Sequence, residues 1–132
     1  MPAREELDFS FSGLKTAVAT RVRERGMPGQ EQMPDFCASF QAAVVDVLVR
    51  KSRRALVREG LHDLLVCGGV AANHGLRAAL AAAAQKDGFR LFVPTPKLCT
   101  DNGAMIAQAG TWALERGERA SLDLSVDPGL PL

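Results

Sequence analysis

The fold of this 132-residue chain is decided by the stretch Leu64-Leu-Val-Cys-Gly-Gly-Val-Ala-Ala-Asn73. Its apolar beginning predicts a buried strand, and its two glycines predict a tight turn where another molecule can approach the backbone. Asn73 predicts the start of a helix, because an amide oxygen can accept a backbone N–H there. This layout is typical of a nucleotide site, although a tight turn needs glycine even when nothing binds.

Strands and helices alternate on both sides of this turn. Apolar periodicity predicts strands at residues 7–12, 63–67 and 89–93. Stop and start signals predict helices from Ser12 or Gly13 to Arg25, from Pro34 to Glu59, from Asn73 to about Lys86, and from near Asp101 to Gly117. Residues 94–100 contain two prolines and predict a stiff loop. The alternation predicts an α/β fold, with a parallel sheet and helices on its faces.

The composition is that of one compact domain, with 47% hydrophobic and 23% charged residues. A formal net charge of +1 excludes a strong overall basic field, so nucleic-acid binding has to come from a local patch. We expect a cytoplasmic protein without membrane contacts, because no apolar run could span a membrane and the acidic start is unlike a secretory signal. Cys37, Cys67 and Cys99 are widely spaced, so we expect reduced, mostly buried thiols.

A second candidate site follows the next predicted strand, at Thr100-Asp-Asn-Gly103. Ligand sites in open α/β sheets lie beyond the carboxyl ends of the strands, so we expect this segment and the Gly68-Gly69 turn to face one crevice. Asp101 is a hard oxygen donor that suits a metal ion or a ribose hydroxyl, and it equally suits a helix start. No His, Asp or Glu cluster with metal spacing surrounds it, and we expect His62 and His74 to be surface or capping residues.

A third candidate is a basic cluster in the second predicted helix, formed by Arg50, Lys51, Arg53, Arg54 and Arg58. Five cations within nine residues could bind an RNA backbone, but such a run is equally typical of a solvated helix face. Aromatic residues for base stacking are few. The sequence also has no glycine-serine elbow, phosphate loop or Cys/His pair, so no residue is predicted to be catalytic.

Four segments resemble, in order and spacing, the tRNA N6-adenosine threonylcarbamoyltransferase family (TsaD). They are Asp8–Val18, Ala38–Val44, Cys67–Asn73 and Pro94–Ile106, and the resemblance covers the chain from Asp8 to about Gly117. It implies an actin/sugar-kinase/Hsp70-like (ASKHA) fold, with residues 1–117 as its C-terminal α/β domain and 118–132 as a tail. It also implies transfer of a threonylcarbamoyl group from threonylcarbamoyl-adenylate to N6 of the adenosine beside the tRNA anticodon.

The resemblance further implies roles for individual residues. Gly68, Gly69 and Asn73 would bind the adenylate, an ATP-type nucleotide, and Asp101 would be a ligand of one divalent metal ion, iron or zinc. The two histidines that complete this metal site belong to a His-x-x-x-His motif that the sequence lacks. We therefore expect an expressed, proteolytic or truncated fragment of a longer enzyme, inactive alone. Its expected partners are the missing N-terminal domain, tRNA, the helper proteins of tRNA threonylcarbamoylation and, by self-association, a second copy.

The sequence is also compatible with two other functions. One is a non-catalytic module of the same fold that binds a nucleotide or a partner and forms dimers. The other is half of an actin-like ATPase or kinase, which would need a catalytic carboxylate and phosphate loops that we do not find. The peptidase activity once attributed to the family would need a complete metal-water site, and the sequence supplies one ligand.

Overall fold

The computed structural model describes residues 7–8, 10–125 and 129. Its elements are helices α1 (Ser12–Arg25) and α2 (Met33–Glu59), strand β1 (Asp63–Leu65), helix α3 (His74–Asp87), strand β2 (Arg90–Phe92) and helix α4 (Gly103–Glu115). Short 3-10 turns at Gly69–Ala72 and Pro96–Leu98 precede α3 and α4. The chain divides into two compact units, residues 1–100 and 101–132.

The helices end where the sequence places stop signals. Gly60 follows α2 with a φ of 63°, and Gly88 follows α3 with a φ of 78°. Both residues take the left-handed conformation that glycine adopts without a steric penalty at helix ends. Pro34 lies in the first turn of α2, where a missing N–H leaves no hydrogen bond unmade. The four predicted helices are confirmed, each with both ends within two residues of the expected position.

The core of the first unit lies between α2, α3 and the two strands. β1 and β2 are parallel, as predicted, with Leu64 opposite Leu91. Both leucines pack against a buried cluster of Leu56 from α2, Ala83 from α3 and Phe89. The register therefore places one face of the sheet on the helices.

The strand predicted at residues 7–12 is wrong for the residues that the structure describes. Leu7, Asp8, Ser10 and Phe11 lie outside any strand, and Phe9 lies outside the described residues. An alternating pattern forms a strand only where a neighbouring strand pairs with it, and the described sheet contains β1 and β2 alone. The Asp8 carbonyl instead accepts a hydrogen bond from Lys51 on α2.

β1 is less buried than its apolar sequence predicts. Leu65 is 74% exposed, and Phe92, its partner in the register, is 45% exposed. A continuous apolar run is typical of a parallel strand covered on both faces, whereas α2 and α3 cover the face of Leu64 and Leu91. The prediction of a buried strand is therefore correct for one face only.

The cysteines also differ from their predicted burial. All three are free thiols, as expected, but only Cys99 is buried, whereas Cys37 and Cys67 are exposed. Cys67 lies just past the half-covered strand β1, and Cys37 lies near the start of α2, whose C-terminal half contacts the core cluster. No helix in the described ranges is long and apolar enough to cross a membrane.

The second unit consists mainly of α4. Its apolar side chains are more than half exposed at Met105, Ile106, Trp112 and Leu114. Asn102 caps its start, and Gly117, with a φ of 80°, follows its end.

Candidate functional site

Backbone hydrogen bonds position the turn between β1 and α3. Val66 N donates to Phe92 O at 2.9 Å, which extends the strand pairing one residue past β1. Ala71 N then donates to Gly68 O at 2.9 Å, and Asn73 N donates to Val70 O at 3.0 Å. These bonds form the 3-10 turn and bring the chain directly from the sheet to the first residue of α3.

Gly68 and Gly69 differ in why glycine suits each position of this turn. Gly68 has φ 87° and ψ 170°, a backbone conformation that L side chains rarely adopt. Gly69 does not have a positive φ, and a Cβ built on it would meet no described atom within 4 Å. Packing of the described residues therefore does not require glycine at 69, and its bare backbone leaves room for another molecule.

Asn73 holds the start of α3 through both ends of its side-chain amide. Oδ1 accepts a hydrogen bond from Leu76 N at 3.0 Å, which is the helix cap that the sequence predicts. Nδ2 donates to Gln41 Oε1 on α2 at 3.0 Å. Because the helix backbone N–H fixes the position of the oxygen, the amide nitrogen is directed away from α3. A ligand at that end of the side chain therefore meets a hydrogen-bond donor.

Gln41 and Gly75 complete this arrangement, and sequence reasoning missed both of them. A Cβ on Gly75 would lie 3.1 Å from Gln41 Nε2 and 3.2 Å from Asn73 Oδ1. Glycine at this position therefore makes room for the pair of amides. Gly75 could have been found from the sequence, because glycine in a helix is less favourable than alanine by about 1 kcal/mol and therefore suggests a packing reason.

An open cleft of about 260 Å³ lies between α2 and the Gly68–Asn73 turn. Its walls are mainly apolar, and Asn73 and Gln41 are the two amide side chains among them. The apolar lining includes Phe40, Val44, Val70 and Leu76. Apolar walls with a few convergent polar groups are typical of small-molecule sites, which are commonly larger, at about 300–1,000 Å³.

Arg77 joins the turn after β1 to the loop after β2. Its Nε donates to Ala71 O at 2.6 Å, and its Nη2 donates to Pro94 O and to Cys99 Sγ, the latter at 3.1 Å. The turn at 68–73 and the loop at 94–99 thus meet in the first unit, whereas the expected crevice shared with Thr100–Gly103 stays a prediction. Sequence reasoning did not identify Arg77, whose Ala71, Pro94 and Cys99 partners lie 6, 17 and 22 residues away.

Asp101 is the first residue of the second unit, and it is exposed. The helix-start role that the sequence also allowed belongs to Asn102, whose Oδ1 accepts from Ala104 N at 3.1 Å and from Met105 N at 3.2 Å. Within the described residues, no group of three or more His, Cys, Asp or Glu side chains could hold a metal ion. Asp101 therefore offers one carboxylate to a metal site whose other ligands have to come from elsewhere.

Contacts within the chain occupy most of the basic cluster. Arg53 binds Asp87 on α3, with Nη2 and Oδ1 2.8 Å apart, and this hydrogen bond lowers the pKa of Asp87. Arg50 pairs with Asp46 at 3.6 Å, Arg58 pairs with Glu59 at 3.3 Å, and Lys51 binds the Asp8 carbonyl. Exposed ion pairs of this kind are typical of a solvated helix face, and RNA binding by the cluster stays a prediction. His62 and His74 are exposed, as expected of surface residues.

Comparison with known proteins identifies the family. The family model described as tRNA N6-adenosine threonylcarbamoyltransferase matches residues 1–108. Relatives of that name are 54% identical over 125 residues in Sorangium cellulosum (strain So ce56) and 52% identical over 130 residues in Bacillus thuringiensis (strain Al Hakam). These matches cover 95% and 97% of this chain but 35% and 38% of the relatives, so the chain spans little more than a third of their length. The resemblance in the sequence is confirmed, and the chain belongs to the tRNA N6-adenosine threonylcarbamoyltransferase family.

Proposed function

We propose that this chain forms the adenylate-binding part of a tRNA threonylcarbamoyltransferase. The complete enzyme would transfer a threonylcarbamoyl group from threonylcarbamoyl-adenylate to N6 of the adenosine next to the anticodon in tRNA. The observation that carries this proposal is the open backbone of Gly69 beside the capped start of α3. Family membership supports the class of reaction, and the turn supports the type of ligand.

The turn offers three kinds of contact to an adenylate. The backbone at Gly68 and Gly69 can be approached closely because no described side chain stands over it. Asn73 Nδ2 uses one of its two hydrogens on Gln41 Oε1, so the other can be donated to a ribose or base acceptor. The start of α3 carries the positive end of the helix dipole, which favours a phosphate.

Asp101 fits a divalent metal ion, iron or zinc, as one carboxylate ligand. Its side chain is exposed, and Asn102 rather than Asp101 caps the helix that follows. A metal ion bound there would supply positive charge that stabilises negative charge on the phosphate or acyl oxygens. The remaining ligands would come from the part of the enzyme outside this chain.

We propose that the chain alone is inactive. One carboxylate does not hold a metal ion tightly, and half of a cleft lacks the groups that would orient the acyl group for attack. Residues 1–117 would be the C-terminal α/β domain of an actin/sugar-kinase/Hsp70-like fold, and 118–132 would be its tail. This domain would work in the cytoplasm with the N-terminal domain, tRNA and the helper proteins of the pathway.

The test is a tRNA threonylcarbamoylation assay with adenylate, metal ion and helper proteins. The chain is assayed alone, and also as a fusion in which it replaces the matched third of the Sorangium cellulosum relative. The intact relative is the positive control. We expect activity from the fusion and none from the chain alone. Activity of the chain alone would contradict its proposed incompleteness.

An inactive fusion would count against the enzyme assignment, provided that it is folded and that the intact relative is active. The exposed Leu65 and Phe92 face of the sheet keeps the non-catalytic, dimerising module open as the alternative. That alternative predicts a stable dimer in sedimentation, together with nucleotide binding that never leads to transfer.

A further inference from the structure

Arg77 has no role in the ligand contacts proposed above, yet it makes three hydrogen bonds to two separate loops. It lies in the first turns of α3, and its side chain is partly buried. A solvated arginine on a helix surface binds water instead of protein acceptors. The three hydrogen bonds of Arg77 therefore indicate a structural role.

The three acceptors span the loops that follow β1 and β2. Ala71 O lies in the 3-10 turn before α3, Pro94 O at the start of the second loop, and Cys99 Sγ at its end. Cys99 is 3% exposed, and its thiol also contacts Thr95 O at 3.4 Å. Arg77 thus binds the second loop at both ends and the first turn at its centre.

A planar guanidinium is suited to this geometry because Nε and Nη2 donate in fixed directions from one rigid group. Nε reaches the first turn while Nη2 reaches the second loop. A lysine ammonium is a single point at the end of a flexible chain, so it cannot occupy both positions together.

We propose that Arg77 is a positioning residue that fixes the Gly68–Asn73 turn to the Pro94–Cys99 loop. Asp101 follows Cys99 by two residues in the sequence, so a loop fixed at Cys99 leaves only a short tether to the proposed metal ligand. This second consequence rests on the proposed function. The coupling of the two loops does not rest on it.

The coupling is tested on the chain itself by amide hydrogen exchange. Arg77→Lys and Arg77→Met are compared with Arg90→Gln, a matched control whose guanidinium forms an exposed ion pair with Asp63. Loss of hydrogen bonds to a charged group is expected to raise the exchange rate of the affected amides by about tenfold or more. We expect this increase in both loops, at the Ala71 and Asn73 amides and at the Leu98 and Cys99 amides, with no change in α2.

The lysine variant separates positioning from a general need for positive charge. If Arg77→Lys restores slow exchange in both loops, or if exchange rises in one loop only, the proposed coupling is wrong. Should Arg77→Met fail to fold, Cys99→Ala gives a second measurement. In the chain that keeps Arg77, Cys99→Ala should raise the exchange rate of the Ala71 amide. In a chain that already carries Arg77→Lys, adding Cys99→Ala should not raise that rate further.

The consequence for the reaction is tested in the fusion enzyme. Arg77→Lys keeps Gly68, Gly69 and Asn73, so we expect the KM for adenylate to change less than twofold while kcat falls about tenfold. A raised KM with unchanged kcat would mean that Arg77 serves the binding turn alone. If the unsubstituted fusion is inactive, the proposed function fails, and the exchange experiment still decides the coupling.

Discussion

The two ends of α3 are held by different kinds of contact. At its start, Asn73 bonds to Leu76 N and Gln41, and Arg77 bonds to two loops. At its end, Gly88 takes a left-handed φ of 78°, and Asp87 pairs with Arg53 on α2. A glycine cap and one partly exposed ion pair are sufficient to end a helix.

The start of α3 has more polar contacts than a helix start needs. One side-chain oxygen is sufficient for a cap, and Asn73 supplies it with Oδ1 alone. The Asn73 nitrogen, the Gln41 amide and the bare backbone of Gly69 go beyond that requirement. This difference indicates that substitutions at the start can separate ligand binding from stability, whereas substitutions at the end should change stability only.

Among these substitutions, Asn73→Asp should give the largest change, a loss of adenylate affinity at nearly constant stability. Aspartate keeps the oxygen that caps α3, so the free energy of unfolding should change by no more than a few tenths of a kcal/mol. It removes the Nδ2 donor and adds a negative charge beside the expected phosphate, so adenylate affinity in the fusion should fall by about 10- to 100-fold. Calorimetric titration and urea unfolding measure the two quantities.

Asn73→Ala is the matched variant for this comparison. It removes both the cap and the donor, so it should weaken adenylate binding and also cost about 1 kcal/mol of stability. Normal adenylate binding by Asn73→Asp would contradict the assignment of Asn73 to the ligand.

A pair of glycine substitutions should give an intermediate effect. Gly88→Ala forces a side chain into the left-handed region, so the free energy of unfolding should fall by about 1 kcal/mol with adenylate binding unchanged. Gly69→Ala meets no described atom and should leave stability unchanged, while its methyl group obstructs the ligand. Urea unfolding measures the stability of both variants. Equal losses of stability would contradict the proposed difference between the start and the end of α3.

The sequence was sufficient for features that depend on nearby residues. Gly60, Gly88 and Asn73 end or begin their helices through contacts within a few residues, so local patterns located them. The burial of Leu65 depends instead on what covers the far side of the sheet. The false strand around Leu7 failed for the same reason, because pairing needs a distant partner.

The candidate site follows the same division. The Gly68–Asn73 turn was located by its local pattern, but Gln41 acts on Asn73 from 32 residues away, and no pattern marks such a pair. At the start of α4, the sequence allowed Asp101 to be the cap. The structure shows that Asn102 accepts both backbone N–H bonds, a choice that depends on backbone geometry.

Protonation of Asp87 should give the smallest effect. The hydrogen bond from Arg53 lowers the pKa of Asp87, so its contribution to stability is present above the unfolded-state pKa of about 4. This contribution is lost as the pH falls through the lower folded-state pKa. The stability difference between the unsubstituted chain and Asp87→Asn should therefore be small at neutral pH, shrink with added salt, and vanish in strong acid.

Glu59→Gln is the control for this last prediction, because Glu59 pairs with its exposed neighbour Arg58 on the same helix. Its substitution removes an exposed ion pair within α2, so the free energy of unfolding at neutral pH should hardly change. Adenylate binding at the other end of α3, measured at neutral pH, should be the same in the fusion with and without Asp87→Asn. A change in binding would mean that the Arg53 ion pair sets the position of the whole helix, and that its two ends do not act independently.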